Sequence, residues 1–142
     1  MKKIFYTKSE IDVVVSNLSD SFHPKQVICF HGPMGSGKTT LIKSLVKHLG
    51  GMEQASSPSF GIVNEYHFPD GGLVGYHFDF YRLNDPAEAL DLGLEDYLNQ
   101  DVWIFIEWPE KVADLLPHNC RHLTLKIIDP VSRELTIELL KE

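Results

Sequence analysis

HGPMGSGKTT, residues 31–40, is the stretch on which the reading of this chain turns. Gly32 is followed by four residues and then by Gly37-Lys38-Thr39, completing the pattern G-x-x-x-x-G-K-[ST]. The apolar segment QVICF, from Gln26, runs into it and predicts a buried strand. An amphipathic segment leaves from Lys38, with Leu41, Ile42, Leu45, Val46 and Leu49 on one face and Gly50-Gly51 as its stop. Strand, glycine-rich turn and helix are the arrangement a phosphate cradle needs. Glycines let the backbone N–H groups of Gly35, Ser36, Gly37, Lys38, Thr39 and Thr40 point inward, and the helix N-terminus adds partial positive charge. Lys38 is expected to reach the β- and γ-phosphates, Thr39 to offer its hydroxyl to Mg2+, and Thr40 to meet the α-phosphate. The bland alternative is a glycine-rich turn that binds nothing.

Outward from this loop the chain alternates. KIFY, after Lys2, reads as a short strand, and Ser9 as the N-cap of a helix carrying Ile11, Val14, Val15 and Leu18 on one face. Pro24 ends that region. GIVNEYHF and LVGYHFDF read as two strands joined at Pro69-Asp70-Gly71-Gly72. Asp85-Pro86 opens a helix, Gly93 breaks it, and LEDYLN continues as a second. VWIFIE is another buried strand, and HLTLKIID and RELTIELL form a late hairpin around Asp129-Pro130. The pattern predicts an α/β sheet of mixed direction.

Such a loop needs a carboxylate for the metal or for the attacking water. Asp79 ends LVGYHFD and Glu107 ends VWIFIE, both at carboxyl ends of apolar strands, where parallel sheets place ligands. Spacing alone leaves open which holds Mg2+ and which positions water. A cap, or an ion pair with Arg82, is the structural alternative for Asp79, and a solvated strand end for Glu107. Arg82 is open between a transition-state role and a salt bridge. Trp108 reads first as packing, and His77 as a packing or hydrogen-bonding side chain rather than a metal ligand.

Composition bounds the class. The chain has 142 residues, 43% hydrophobic and 23% charged, and reads as one globular domain over residues 1–142. A formal charge of −7 weighs against binding nucleic acid by bulk electrostatics. Cys29 and Cys120 form no C-x-x-C pair, which argues against a disulfide scaffold or a zinc ribbon, and no histidine has zinc-site spacing except that His77 and Asp79 share one strand face. No apolar stretch suits a signal peptide or a membrane span, so a cytoplasmic protein is the expectation.

The blocks GPMGSGKTT, SPSF (57–60), YHFDFYRLNDPAE (76–88), LGLEDYL (92–98) and IEWPE (106–110), in this order and spacing, resemble the TsaE (YjeE) family of small ATPases in bacterial tRNA threonylcarbamoyladenosine biosynthesis. The resemblance runs from about Ser9 to Glu110 and is weak over the last thirty residues. It departs at Pro33-Met34 in the loop and at SPSF, where SPTY or SPTF is usual and Ser59 keeps the hydroxyl. The resemblance implies a P-loop NTPase-like three-layer fold with a mixed, largely parallel sheet flanked by helices. It also implies ATP on Gly35 to Thr40, Mg2+ on Thr39 and Glu107, and a γ-phosphate-sensing switch at Ser57 or Ser59. Asp79 would be a catalytic or metal-linked carboxylate, Trp108 a neighbour of the site, and Arg133 a candidate adenine contact. The implied partners are the TsaB and TsaD subunits of the transferase, with tRNA met mainly through that complex and hydrolysis dependent on it.

Two other classes fit a phosphate-binding loop. A small-molecule kinase would use Asp79 as base and Arg82 on the phosphate. A nucleotide-binding scaffold would bind ATP tightly and turn nothing over. The absence of N-K-x-D weakens a GTPase reading, and three arginines in 142 residues leave little for a kinase lid.

Overall fold

The computed structural model describes residues 2–22, 25–55 and 61–138. Val27–His31 forms β2, whose Ile28, Cys29 and Phe30 are fully buried. β1 (Lys2–Thr7) precedes it; β3 (Val63–His67), β4 (Leu73–Asp79), β5 (Trp103–Glu107), β6 (Arg121–Asp129) and β7 (Ser132–Ile137) follow. They form one seven-stranded sheet in the order β1-β7-β6-β2-β5-β4-β3. β6, β2, β5 and β4 run parallel at its centre, while the pairings β4–β3, β6–β7 and β7–β1 are antiparallel. The continuous apolar runs of β2 and β5 follow from this placement, because a central parallel strand is covered on both faces.

Helices cover both faces, giving the expected three layers. α1 (Ile11–Ser21) and α2 (Lys38–His48) pack their Val14, Val15, Leu18, Leu41, Ile42 and Leu45 onto Phe30, Phe105 and Leu123. α3 (Pro86–Asp91), α4 (Leu94–Leu98) and the 3₁₀ segment Pro109–Leu115 cover the other face, where Ala89, Leu94 and Val112 meet Cys29, Phe78, Ile104 and Ile106. Asp85 caps α3 by accepting from the Ala87 N–H at 2.9 Å, with Pro86 in the first helical position. Gly93, at φ +91°, separates α3 from α4.

One helix start is corrected. Ser9 does not cap α1; it lies inside a 3₁₀ turn, Lys8–Glu10, that leads into the helix. Thr7 opens that turn: its N–H and its hydroxyl both donate to the Glu10 carboxylate, at 2.8 and 2.9 Å. Thr7 has the better position because it is the last residue of β1, where the chain changes direction. Pro24 lies outside the described residues, as does the SPSF segment with Ser57 and Ser59. Among the described residues no helix is long and apolar enough to cross a membrane.

Candidate functional site

The carboxyl ends of β2, β4 and β5 converge on the loop that follows β2. Gly35 and Gly37 take φ of +81° and +95°, a region that favours glycine, and Gly37 is the N-cap of α2. At Gly32 the reason is space: a Cβ there would lie 2.8 Å from both the Leu125 carbonyl and the Ser36 hydroxyl. The loop therefore curls tightly enough to leave Ser36 fully buried. Among the described residues its Oγ has no hydrogen-bond partner, an orphaned polar atom inside the cradle.

A cavity of about 420 Å³ opens on this loop, lined by residues 34–40 together with Asp79, Glu107, Trp108 and Arg133. Thr39 and Glu107 meet directly: the Thr39 hydroxyl donates to Glu107 Oε2 at 2.7 Å. The same oxygen accepts from His77 Nε2 at 2.6 Å, and both of these side chains are buried. Tyr66 stacks on the His77 ring. Burial works to raise the Glu107 pKa, but hydrogen bonds from His77 and Thr39 and the Lys38 charge outweigh it, so the carboxyl titrates below the ordinary range. His77 is thus a hydrogen-bonding partner of Glu107.

Lys38 is 5% exposed, and its Nζ donates to the Gly32 carbonyl at 2.6 Å. The same ammonium sits 3.6 Å over the Trp108 ring, a cation–π contact. Burial lowers the Lys38 pKa, against the pull of Glu107, Glu110 and Asp79. Trp108 holds a left-handed backbone, φ +59° and ψ +50°, which a bulky residue rarely adopts. That turn brings its indole against both Lys38 and Tyr81, so Trp108 does more than fill the core.

Asp79 pairs in register with Glu107, so the two carboxylates share one sheet face. Asp79 is exposed on the cavity wall, and its Oδ1 accepts from the Tyr81 N–H at 3.1 Å. Arg82 is exposed and forms no part of that wall, nor does it pair with Asp79 among the described residues. Arg133 is 6% exposed, and its guanidinium donates to the carbonyls of Ser36, Gly35, Asp129 and Ser132. It braces the loop from β7 through its backbone.

Sequence reasoning missed one wall. Tyr6, Lys8 and Ile11 close the cavity opposite the carboxylates. β1 pairs with β7, and that pairing brings the start of the chain beside Arg133: Tyr6 is its register partner. Nothing local in KIFYTKSE announces this.

Residues 5–135 match the family described as Threonylcarbamoyl adenosine biosynthesis protein TsaE. The TsaE protein of Bacillus subtilis is 34% identical over 123 residues, 86% of this chain and 75% of that protein. That of Rickettsia typhi is 32% identical over 133 residues, covering 93% and 88%. That of Haemophilus influenzae is 40% identical over 91 residues, 64% of this chain and only 56% of its relative. Among solved structures, Bacillus subtilis YdiB superposes with a TM-score of 0.69 at 26% identity, covering 96% of this chain and 84% of that one. The fold, the loop and the matched length agree: the chain belongs to the TsaE family, whose members take part in tRNA threonylcarbamoyladenosine biosynthesis.

Proposed function

We propose that this chain is an ATPase that binds ATP with Mg2+ on its glycine-rich loop and hydrolyses it in the service of tRNA threonylcarbamoyladenosine modification. The observation that carries the reading is the Thr39 hydroxyl resting on the Glu107 carboxylate at the mouth of that loop. A hydroxyl and a carboxylate in contact are the hard oxygen donors Mg2+ takes in phosphate sites. The buried Ser36 hydroxyl, without a partner among the described residues, and the positive-φ glycines fit a phosphate in the same place. Thr39 and Glu107 would hold Mg2+, which would supply positive charge to offset the negative charge that develops on the phosphates.

The chain's own residues then divide the work. Gly35 to Thr40 bind through backbone N–H groups at the start of α2. Lys38 leaves the Gly32 carbonyl for the phosphates, steered by the Trp108 ring. His77 holds Glu107 in place and keeps it ionised, so Glu107 and Thr39 form the metal side. Asp79, exposed on the neighbouring strand end, is the carboxylate that orients water. The kinase alternative loses its cation, because Arg82 is not on the cavity wall.

Slow turnover alone and acceleration by a TsaB–TsaD transferase complex belong to the same reading, since a positioned residue from a partner adds on the order of 10³ to 10⁵ in rate in comparable phosphate sites. The acidic chain leaves tRNA contact mainly to that complex. The test is phosphate release from ATP, alone and with TsaB–TsaD, beside Lys38→Ala. A large partner-dependent rise that the variant lacks is the expected outcome. Tight ATP binding with no turnover under either condition would leave a scaffold instead.

A further inference from the structure

Two Cys-x-His pairs stand side by side on the sheet face opposite α2. Cys29-Phe30-His31 belongs to β2, and Cys120-Arg121-His122 leads into β6, which begins at Arg121. The strands are parallel, with Cys29 opposite His122 in register. Side chains two apart share a face, so His31 joins Cys29 there and Cys120 joins His122. One sulfur from each cysteine and one ring nitrogen of His122 lie within 4.8 Å of one another. Cys120 Sγ is already 3.4 Å from His122 Nε2. Donors around a tetrahedral zinc stand about 3.5–3.8 Å apart, given bonds of roughly 2.3 Å to sulfur and 2.0–2.1 Å to nitrogen. Small side-chain rotations close the difference.

The other ring nitrogen of His122 is also accounted for. Nδ1 is 2.8 Å from His31 Nε2, and His31 Nδ1 is 3.8 Å from Glu110 Oε2. One set of tautomers satisfies this chain: His122 donates from Nδ1 to His31, His31 keeps its proton on the Glu110 side, and His122 Nε2 presents a lone pair to the sulfurs. A histidine held by its far nitrogen is the arrangement found around metal-bound imidazoles. Both cysteines are buried and neither forms a disulfide. The open side of the cluster is a cavity lined by Cys120, His122, His118 and Glu110, which gives an entry path and room for a fourth ligand.

We propose that Cys29, Cys120 and His122 form a site for one Zn2+ ion, with its fourth position open to this cavity and with His31 and Glu110 orienting His122. Two thiolates and an imidazole are soft and borderline donors, which select zinc over magnesium. The site is separate from the Thr39–Glu107 pair and does not depend on the ATPase reading. It would tie Cys29, in the middle of β2 and three residues before Gly32, to the start of β6.

The test uses the full chain, tag-free, reduced and stripped with chelator. Co2+ is titrated first and Zn2+ second. The expected result is one Co2+ per chain, with a thiolate-to-cobalt charge-transfer band and strong visible bands of tetrahedral coordination, both erased by one equivalent of Zn2+. Only the weak bands of oxygen-bound octahedral Co2+ would overturn the assignment, because Thr39 and Glu107 would produce those. Cys120→Ser and His122→Gln are expected to abolish the charge-transfer band or shift it markedly. His31→Gln is expected to keep the band and weaken affinity about 10- to 100-fold, the usual effect of losing an orienting partner. The wild type supplies a check that no variant's folding can confuse. Zn2+, but not Mg2+, is expected to slow alkylation of Cys120, which lines the cavity, by at least about tenfold, since a metal-bound thiolate is a poor nucleophile. Equal alkylation rates with and without Zn2+ overturn the proposal.

Discussion

Arg133 ends its hydrogen bonds on four backbone carbonyls, two of them at Gly35 and Ser36. A fixed fork of donors suits this task better than an ammonium does. Arg133→Met keeps the apolar stem and strips the bonds. Urea unfolding is expected to show a loss of about 1.5–3 kcal/mol, the range for hydrogen bonds to a charged group. Calorimetry is expected to show ATP binding weakened about tenfold, or ~1.4 kcal/mol, with Arg133→Lys recovering only part of either. Tyr66 tests the buried carboxylate behind it. Burial, reinforced by the Glu107 charge, pushes its phenol from 10.0 up to about 12. A raised pKa means this contribution is intact below pH 10 and is lost as pH rises through about 12. Over that interval stability is expected to fall by roughly 2–3 kcal/mol on this account. Thermal melts of wild type and Tyr66→Phe across the alkaline range check it: the two curves converge or cross only if Tyr66 is the group responsible.

At the scale of elements, the entry to α1 shows how a cap is chosen. Thr7 and Ser9 both carry hydroxyls, and Glu10 follows Thr7 by three residues. That spacing is the signature of a capping box, and it outweighs the proximity of Ser9 to the apolar helix. Thr7→Ala is therefore expected to lower stability by about 1 kcal/mol. Ser9→Ala is expected to stay within about 0.5 kcal/mol, as surface substitutions do. Chemical denaturation of both variants measures this, and equal losses would return the cap to Ser9. α2, by contrast, was readable throughout. Its apolar spacing, its glycine start and its Gly50-Gly51 stop are all local, and Leu41, Ile42, Leu45 and Val46 are fully buried as the pattern requires. The β3–β4 and β6–β7 hairpins were readable for the same reason, since short turns join neighbouring strands.

Across the whole molecule, the cavity is assembled from both ends of the chain. β1 pairs with β7, and this seats Tyr6, Lys8 and Ile11 in the wall of the cavity, beside Arg133. Lys8 is the exposed cation of that wall. Lys8→Ala is expected to weaken ATP binding about three- to tenfold, less so at high salt, because an exposed charge is screened over roughly 8–10 Å. A thermal-shift assay reads the whole effect. ATP with Mg2+ at about one hundred times its Kd adds ~2.7 kcal/mol, worth roughly 6–10 °C in Tm for a chain of this size. Lys8→Ala is expected to need proportionally more ATP for the same shift. No shift in the wild type would remove the nucleotide from the reading altogether.

Residues close in sequence carried the glycine-rich loop, the strand before it, the helix after it and the strand-end positions of Asp79 and Glu107. Backbone conformation and hydrophobic period act over a few residues, so those features stand in the linear order of the chain. The contacts between distant segments did not: Glu107 on Thr39, Lys38 over Trp108, Arg133 against the loop, and the two Cys-x-His pairs. Each of these depends on strand order and register. The sheet order β1-β7-β6-β2-β5-β4-β3 is set by which apolar faces bury together, a property of the whole fold that no local window contains.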